Sequence, residues 1–139
     1  MADDEMNSIL KLLKMSGYSD KAIEYYLKKV NVGEIKEPDA SFAYQGPCGD
    51  SMQIYLKIRD DVIGDVRFQV VGCAGASVSG SALTEIIKGM KLEEAKKITE
   101  EDIIGGLNGV PRAKFHCVCL AFRTLRKAIE SYEKKSSIS

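Results

Sequence analysis

Hydrophobic positions near the N-terminus recur at a helical spacing. Residues 6–15 place their aliphatic side chains on one side, which predicts a short amphipathic helix that Gly17 ends. Ser19 is typical of an N-cap, and residues 20–30 resume the apolar helical spacing. Residues 31–40 contain glycine and proline and predict a connector.

The middle of the chain alternates apolar and polar residues with a period of two. Residues 52–59 alternate over their whole length, and residues 66–71 do so again, which predicts two strands. Asp60 and Asp61 predict a turn between them, so the two strands are expected to pair as an antiparallel hairpin. Residues 41–45 predict a short preceding strand.

The second half of the chain is helical in pattern. Helices are predicted over residues 77–89, over 92–97, from a capping-box-like Thr99 and Asp102, and over 113–133. After the two N-terminal helices the strands come together and the remaining helices follow, so the predicted fold class is α+β, with helices packed on one face of a small antiparallel sheet.

Composition narrows the classes of function. The chain has 139 residues, enough for one self-supporting domain. Its 20 basic and 20 acidic residues give no net charge, which argues against a nucleic-acid partner. No apolar run is long enough for a membrane span. The acidic start, Met-Ala-Asp-Asp-Glu, is unlike a secretory signal, so we expect a cytoplasmic protein.

Three of the four cysteines lie beside glycines or charged residues, which favours metal or sulfur chemistry over a core role. Cys48 lies in a Gly-Pro-Cys-Gly-Asp loop that ends with Asp50, although an incidental cysteine in a polar turn fits equally well. Cys73 lies among small residues where a strand passes into a helix. Its sulfur should be uncovered, and the helix N-terminus should favour its thiolate. A turn that merely needs small residues is the alternative for Cys73.

The last helix begins near His116 and Cys117. His116 is the single histidine of the chain; it fits metal binding or proton relay, and a structural role fits it equally well. The helix dipole should favour a thiolate at Cys117. Cys119 is expected to point to another helix face, as a small core residue between Val118 and Leu120.

The spacing of the cysteines indicates a site assembled by folding. No C-x-x-C pair occurs, which argues against zinc fingers and thioredoxin-type motifs. Three thiolates are soft donors suited to zinc or an iron–sulfur cluster. A fourth position held by aspartate or histidine is more exchangeable than a thiolate, which suits a site that releases what it binds.

These residues resemble the IscU/NifU-type iron–sulfur cluster assembly scaffolds, over roughly residues 18–134. The shared motifs are Tyr18-Ser19-Asp20-Lys21, Asn31-Val32-Gly33, Cys48-Gly49-Asp50, Gly72-Cys73, and Lys114-Phe115-His116-Cys117 running into Leu120-Ala121.

The resemblance implies a three-stranded antiparallel sheet covered by helices. It implies a scaffold without turnover chemistry that accepts persulfide sulfur from a cysteine desulfurase, adds iron, and passes a [2Fe–2S] or [4Fe–4S] cluster to apo-proteins. Cys48, Cys73 and Cys117 would be ligands and sulfur acceptors, and Asp50 or His116 would complete the site. A homodimer is also compatible with the family.

Other parts of the chain follow the family pattern less closely. Lys114 matches a family lysine near the site, and its charge should help to ionise Cys117. The family's Leu-Pro-Pro-Val-Lys chaperone segment survives only in part in residues 109–114, so dependence on an Hsp70-type chaperone is not carried over. Residues 1–17 form an N-terminal extension helix expected to support a dimer or partner contact, and residues 135–139 are expected to fray.

Two alternatives remain at the level of sequence. A zinc-dependent sulfur-transfer protein of the SufU type would use the same ligands, with zinc bound in the cluster-free form, although that group usually lacks the histidine. A structural zinc domain is less consistent, because structural sites are usually closed and thiolate-rich at short spacing.

Overall fold

The computed structural model describes residues 2–47 and 49–138, with side chains described for 5–47 and 49–135. Its elements in chain order are α1 (Ala2–Met15), α2 (Asp20–Lys28), β1 (Ala40–Gln45), β2 (Ser51–Arg59), β3 (Val62–Val71), α3 (Ala74–Ile87), α4 (Leu92–Ala95), α5 (Glu100–Gly106), a 3₁₀ turn (Arg112–Lys114) and α6 (Phe115–Ile138).

The predicted α+β class is confirmed. The three strands form one antiparallel sheet in the order β1-β2-β3, and α3 and α6 pack against it. The alternation of the strands explains this packing, because one set of alternate side chains turns inward. Fully buried side chains at this interface include Met52, Ile54, Leu56, Val66, Phe68, Val78, Leu83, Ile87 and Leu125.

Both predicted caps fix the starts of their helices. The hydroxyl of Ser19 accepts a hydrogen bond from the N–H of Ala22 at 3.0 Å and donates one to the carbonyl of Leu107. Thr99 and Asp102 form both halves of a capping box at the start of α5. Ser19 thereby also ties α2 to the end of α5.

The hairpin is longer than the sequence pattern predicts. Asp60 and Asp61 both have positive φ, 53° and 62°, as in the two-residue turns that suit the strand twist. Such a tight turn lets pairing resume at once, so β3 begins at Val62 rather than at residue 66. The pairing shifts register between Lys57 and Ile58.

Several helices differ from their predicted bounds. Helix α1 begins at Ala2 rather than at residue 6, α2 ends at Lys28 rather than at residue 30, and α4 ends at Ala95 rather than at residue 97. Helix α3 begins at Ala74 rather than at residue 77, because the small residues after Cys73 take helical conformation directly. Helix α6 begins at Phe115 and continues to Ile138 rather than ending near residue 133. The division into an extension, a scaffold domain over residues 18–134 and a fraying tail stays a prediction.

Helix α1 packs on α2 and leaves much of its apolar side exposed. Met6, Ile9, Leu12 and Met15 keep 47%, 40%, 64% and 76% of their surface accessible. Within the part of the chain that the structure describes, no helix combines the length and the apolar character needed to cross a membrane.

Candidate metal centre

Cys73 lies at the corner where the sheet passes into α3. Its extended backbone, with φ −82° and ψ 172°, makes it the N-cap residue of the helix, but its side chain makes no capping hydrogen bond. The half-buried thiol instead donates to Oδ2 of Asp50, at 3.4 Å from Sγ. The sulfur therefore points toward the loop between β1 and β2.

The first turn of α6 brings Cys117 to the same point. The 3₁₀ turn before it is closed by the N–H of Lys114, which donates to the carbonyl of Pro111 at 2.8 Å. The side chain of Cys117 is fully buried, and its Sγ lies 3.4 Å from Sγ of Cys73 and 3.4 Å from Nε2 of His116. Two predicted ligands that are 44 positions apart in sequence are thus in contact.

Asp50 and His116 complete the group of donor atoms. The carbonyl of Asp50 accepts the N–H of Gly46 at 2.8 Å, which closes the loop before β2 and holds the carboxylate near the sulfurs. Ligand atoms of Asp50, His116 and Cys117 all lie within 4.8 Å of one another. Oxygen, nitrogen and sulfur donors at this spacing suit zinc or iron.

Two glycines make the close approach of these side chains sterically feasible. A Cβ on Gly72 would lie 2.6 Å from Cγ of Asp50, and a Cβ on Gly75 would lie 2.9 Å from Sγ of Cys117. Both distances are too short for real contacts. The small residues around Cys73 that the sequence singles out are therefore needed by the neighbouring ligands as much as by Cys73 itself.

Cys48, the third predicted sulfur ligand, lies outside the described residues, so its place at the site stays a prediction. Backbone hydrogen bonds join the described residues on either side of it. The N–H of Gly49 donates to the carbonyl of Gly46 at 3.1 Å, in addition to the Gly46–Asp50 bond.

The expected stabilisation of a thiolate at Cys117 is wrong for the metal-free protein. Burial raises the pKa of Cys117 to about 12, and its hydrogen bond with Cys73 and its electrostatic interactions with Cys73 and Asp50 add to this rise. Lys114 acts in the predicted direction and lowers the pKa, but its effect is the weaker one. Desolvation outweighs dipole and charge here because the sulfur is cut off from water.

Tyr18 is a neighbour of the site that sequence reasoning did not single out. A Cβ on Gly75 would lie 3.1 Å from the hydroxyl of Tyr18, which places this side chain against the same turn of α3 as Cys117. Burial raises the pKa of Tyr18 to about 12, with smaller contributions from Cys73 and Cys117. Its presence in the first shared motif was the available signal.

Cys119 is separate from the two paired sulfurs, but it is not the core residue that we expected. It is half-buried, and its thiol donates to Oε2 of Glu100 at 2.6 Å. That hydrogen bond, with burial, raises the pKa of Cys119. The side chain lines a surface cavity of about 230 Å³ together with Tyr44, His116 and Arg123. The carboxylate of Glu100 on α5 therefore satisfies the half-buried thiol of Cys119.

This α+β fold agrees with the comparisons to known proteins. The chain belongs to the NifU-like N-terminal domain family, whose sequence profile matches residues 17–139. It is 42% identical over 120 residues to the iron–sulfur cluster assembly scaffold protein IscU 1 of Archaeoglobus fulgidus, covering 86% of this chain and 78% of that relative.

A second relative and a solved structure extend the comparison. The iron–sulfur cluster assembly scaffold protein IscU of Escherichia coli is 37% identical over 123 residues, covering 85% of this chain and 95% of that relative. A nitrogen-fixing NifU-like protein (N-terminal) from Brucella abortus superposes with a TM-score of 0.67 at 23% identity. That match covers 84% of this chain and 94% of the other, and it concerns the fold.

Proposed function

We propose that this protein is a scaffold on which iron–sulfur clusters are assembled and from which they pass to apo-proteins. The observation that supports it most is the contact between the sulfurs of Cys73 and Cys117 at 3.4 Å. They come from a sheet corner and a distant helix, and no disulfide joins them. Adjacent free thiols from separate segments are suited to bridging one inorganic centre.

The ligand set that we propose is Cys48, Cys73 and Cys117, with Asp50 or His116 in the fourth position. Asp50 is already in contact with Cys73, and His116 with Cys117, so either can complete the site by a small rotation of its side chain. His116 is exposed, which would let it exchange with a ligand from an acceptor protein.

The sulfur donor that we propose is a cysteine desulfurase that presents a persulfide. A surface groove of about 660 Å³ leads from Met6 and Ile9 on α1, past β3, to Cys73. This groove would let a donor segment reach the one sulfur of the contacting pair that is partly exposed. The protein would act in the cytoplasm and contribute ligands and sulfur acceptors, without turnover chemistry of its own.

Zinc is the second candidate occupant, in the cluster-free protein. The ligand atoms within 4.8 Å suit a tetrahedral ion as well as an iron atom. A zinc ion that is not displaced would make this chain a sulfur-transfer protein of the SufU type instead.

One experiment separates these functions. The protein is reconstituted without oxygen with ferrous iron, cysteine and a cysteine desulfurase, and iron, acid-labile sulfide and zinc are then assayed on the same sample. A scaffold gains iron and sulfide in equal amounts, loses any zinc, and transfers the cluster to an apo-ferredoxin. Stoichiometric zinc that persists without iron uptake would overturn the scaffold proposal.

A further inference from the structure

The sulfurs of Cys73 and Cys117 differ in exposure although they are in contact. Cys73 is half-buried and forms part of the wall of the groove described above, whereas Cys117 is fully buried and does not line it. A sulfur donor arriving from solvent therefore reaches Cys73 first. The buried thiol lies directly behind it, with Sγ 3.4 Å from Sγ of Cys73.

We propose that these two thiols reduce the incoming sulfur themselves, so that Cys117 releases sulfide from a persulfide formed on Cys73. This inference rests on the proposed function and adds a chemical step to it. Cluster assembly needs sulfide, whereas a persulfide carries sulfur that is more oxidised by two electrons. The contacting thiol pair holds the two electrons required.

The first step transfers sulfur to the exposed thiol. The Sγ of Cys73 attacks the terminal sulfur of the donor persulfide, the S–S bond of the donor breaks, and the donor cysteine leaves as a thiol. The proton lost by Cys73 is accepted by the carboxylate of Asp50, whose Oδ2 is 3.4 Å away, and passes on to the departing donor thiolate. Cys73 now carries a persulfide.

The second step releases sulfide. The Sγ of Cys117 attacks Sγ of Cys73, which forms the Cys73–Cys117 disulfide, and the terminal sulfur leaves as hydrosulfide with the electron pair of the broken bond. Nε2 of His116, 3.4 Å from Sγ of Cys117, accepts the thiol proton. Over both steps two thiols are oxidised to one disulfide, and one sulfane sulfur is reduced to sulfide.

The geometry is close to what the second step needs. A disulfide bond is about 2.05 Å long, so the two sulfurs must approach by about 1.4 Å, which rotation of a cysteine side chain at the start of α3 can supply. Gly75 leaves the space beside Sγ of Cys117 free of a Cβ atom. A dithiol reductant then restores both thiols before they can bind iron.

The test uses the full-length, metal-free protein with all thiols reduced. It is desalted without oxygen and mixed with one equivalent of glutathione persulfide, with neither iron nor desulfurase present. Free sulfide is measured, and the alkylated protein is analysed by intact mass and peptide mapping. We expect one sulfide per chain and a disulfide between Cys73 and Cys117.

Variants assign the two roles. Cys117→Ser should keep a persulfide on Cys73 and release sulfide at least about tenfold more slowly. Cys73→Ser should release none, and Cys119→Ser, which removes a thiol that contacts Glu100 instead of a sulfur, should behave as the wild type. Cys117→Ala is a second variant at the same position. Circular dichroism of both variants checks that the loss of sulfide release does not come from unfolding.

The inference is overturned if the wild type keeps a stable persulfide while Cys117 remains open to alkylation. It is also overturned if the disulfide maps to Cys48 or Cys119, or if no sulfur is taken up. Reconstitution of the same sample with iron, sulfide and an added dithiol tests the proposed function separately. A protein that builds a cluster there but releases no sulfide on its own loses this inference alone.

Discussion

Gly72 and Asp50 fit together so closely that no larger residue can replace the glycine without moving the carboxylate. A Cβ at position 72 would lie 2.6 Å from Cγ and 2.9 Å from Oδ1 of Asp50. The position of a candidate ligand on one loop is thus set by the absence of a side chain on another.

The variant Gly72→Ala should displace the carboxylate of Asp50 while preserving the fold. Because the new Cβ would also lie 2.9 Å from Cβ of Asp50, which rotation of that side chain does not move, we expect the free energy of unfolding to fall by about 1–3 kcal/mol. Transfer of a reconstituted cluster to an apo-ferredoxin should slow, as it would if Asp50 were removed. The rate of this transfer is measured from the circular dichroism of the cluster.

A matched glycine provides the control. A Cβ on Gly105 of α5 would meet no atom within 4 Å, and the residue lacks the left-handed backbone that disfavours alanine. Gly105→Ala should therefore transfer its cluster at the wild-type rate. Equal rates in Gly72→Ala and Gly105→Ala would mean that the Gly72–Asp50 fit does not affect the cluster.

Asp50→Ala should give a cluster that is more stable and less readily transferred, because the exchangeable carboxylate beside Cys73 is removed. We expect transfer to slow by about tenfold. Asp65→Ala is the control, since this carboxylate pairs with Arg67 and Lys88 at 3.8 Å and 3.9 Å instead of with a thiol. An unchanged transfer rate with normal assembly would exclude this role of Asp50.

Cys119→Ser should be nearly silent in cluster assembly. The thiol of Cys119 donates to Glu100 and contacts neither of the paired sulfurs, and a serine hydroxyl can donate to the same carboxylate. Iron and sulfide content after reconstitution should match the wild type within error. Loss of the cluster would show that Cys119 is a ligand.

The metal-free protein should lose stability as the pH rises above 9. Burial raises the pKa of Cys117 from 9.0 to about 12. The folded state therefore holds this proton more tightly than the unfolded chain, and the resulting stability is complete below pH 9 and is lost as the pH approaches 12. Tyr18, raised from 10.0 to about 12, acts in the same direction.

Urea unfolding at a series of pH values between about 8 and about 11 measures this effect. Cys117→Ala should be less stable overall because its side chain is buried, but its stability should depend less steeply on pH. The readout is the slope of the free energy of unfolding against pH. Cys119→Ser is the control for the loss of a thiol elsewhere in the protein. A slope that is identical in wild type and Cys117→Ala would contradict the assignment.

Deletion of residues 1–17 should weaken contacts with other chains. The deletion removes the side chains of Leu12 and Met15, which keep 64% and 76% of their surface accessible in the part of the chain that the structure describes. Exposed apolar groups that lie together favour contacts with a partner. We expect a smaller dimer fraction in sedimentation, or weaker binding to the desulfurase in calorimetry, with unchanged iron binding. No change in either quantity would leave the extension without this role.

Local signals in the sequence predicted the local features of the fold. The cap at Ser19, the capping box of Thr99 and Asp102, and the alternation along β2 all depend on neighbouring residues, and all three are confirmed. The early starts of β3 and α3 were missed because they depend on turn geometry and on small residues, which carry weak periodicity.

The proximity of four predicted site residues is observed, whereas their role as ligands stays a prediction. Spacing and resemblance indicated Asp50, Cys73, His116 and Cys117, and these four side chains are near one another in the structure. The pKa of Cys117 was predicted in the wrong direction because burial is a property of the whole fold. The hydrogen bond of Cys119 likewise needs α5 in place, which no local pattern predicts.

Because Cys73 and Cys117 are far apart in the chain, a cluster bound to both would cross-link two distant segments of the protein. A cluster bound to both would link the start of α6 to the corner after β3. The chain between the two cysteines, which contains α3, α4 and α5, would then form a closed loop. Such a cross-link restricts the unfolded chain and stiffens the loaded form. Donor and acceptor proteins could then distinguish empty from loaded molecules by their rigidity alone.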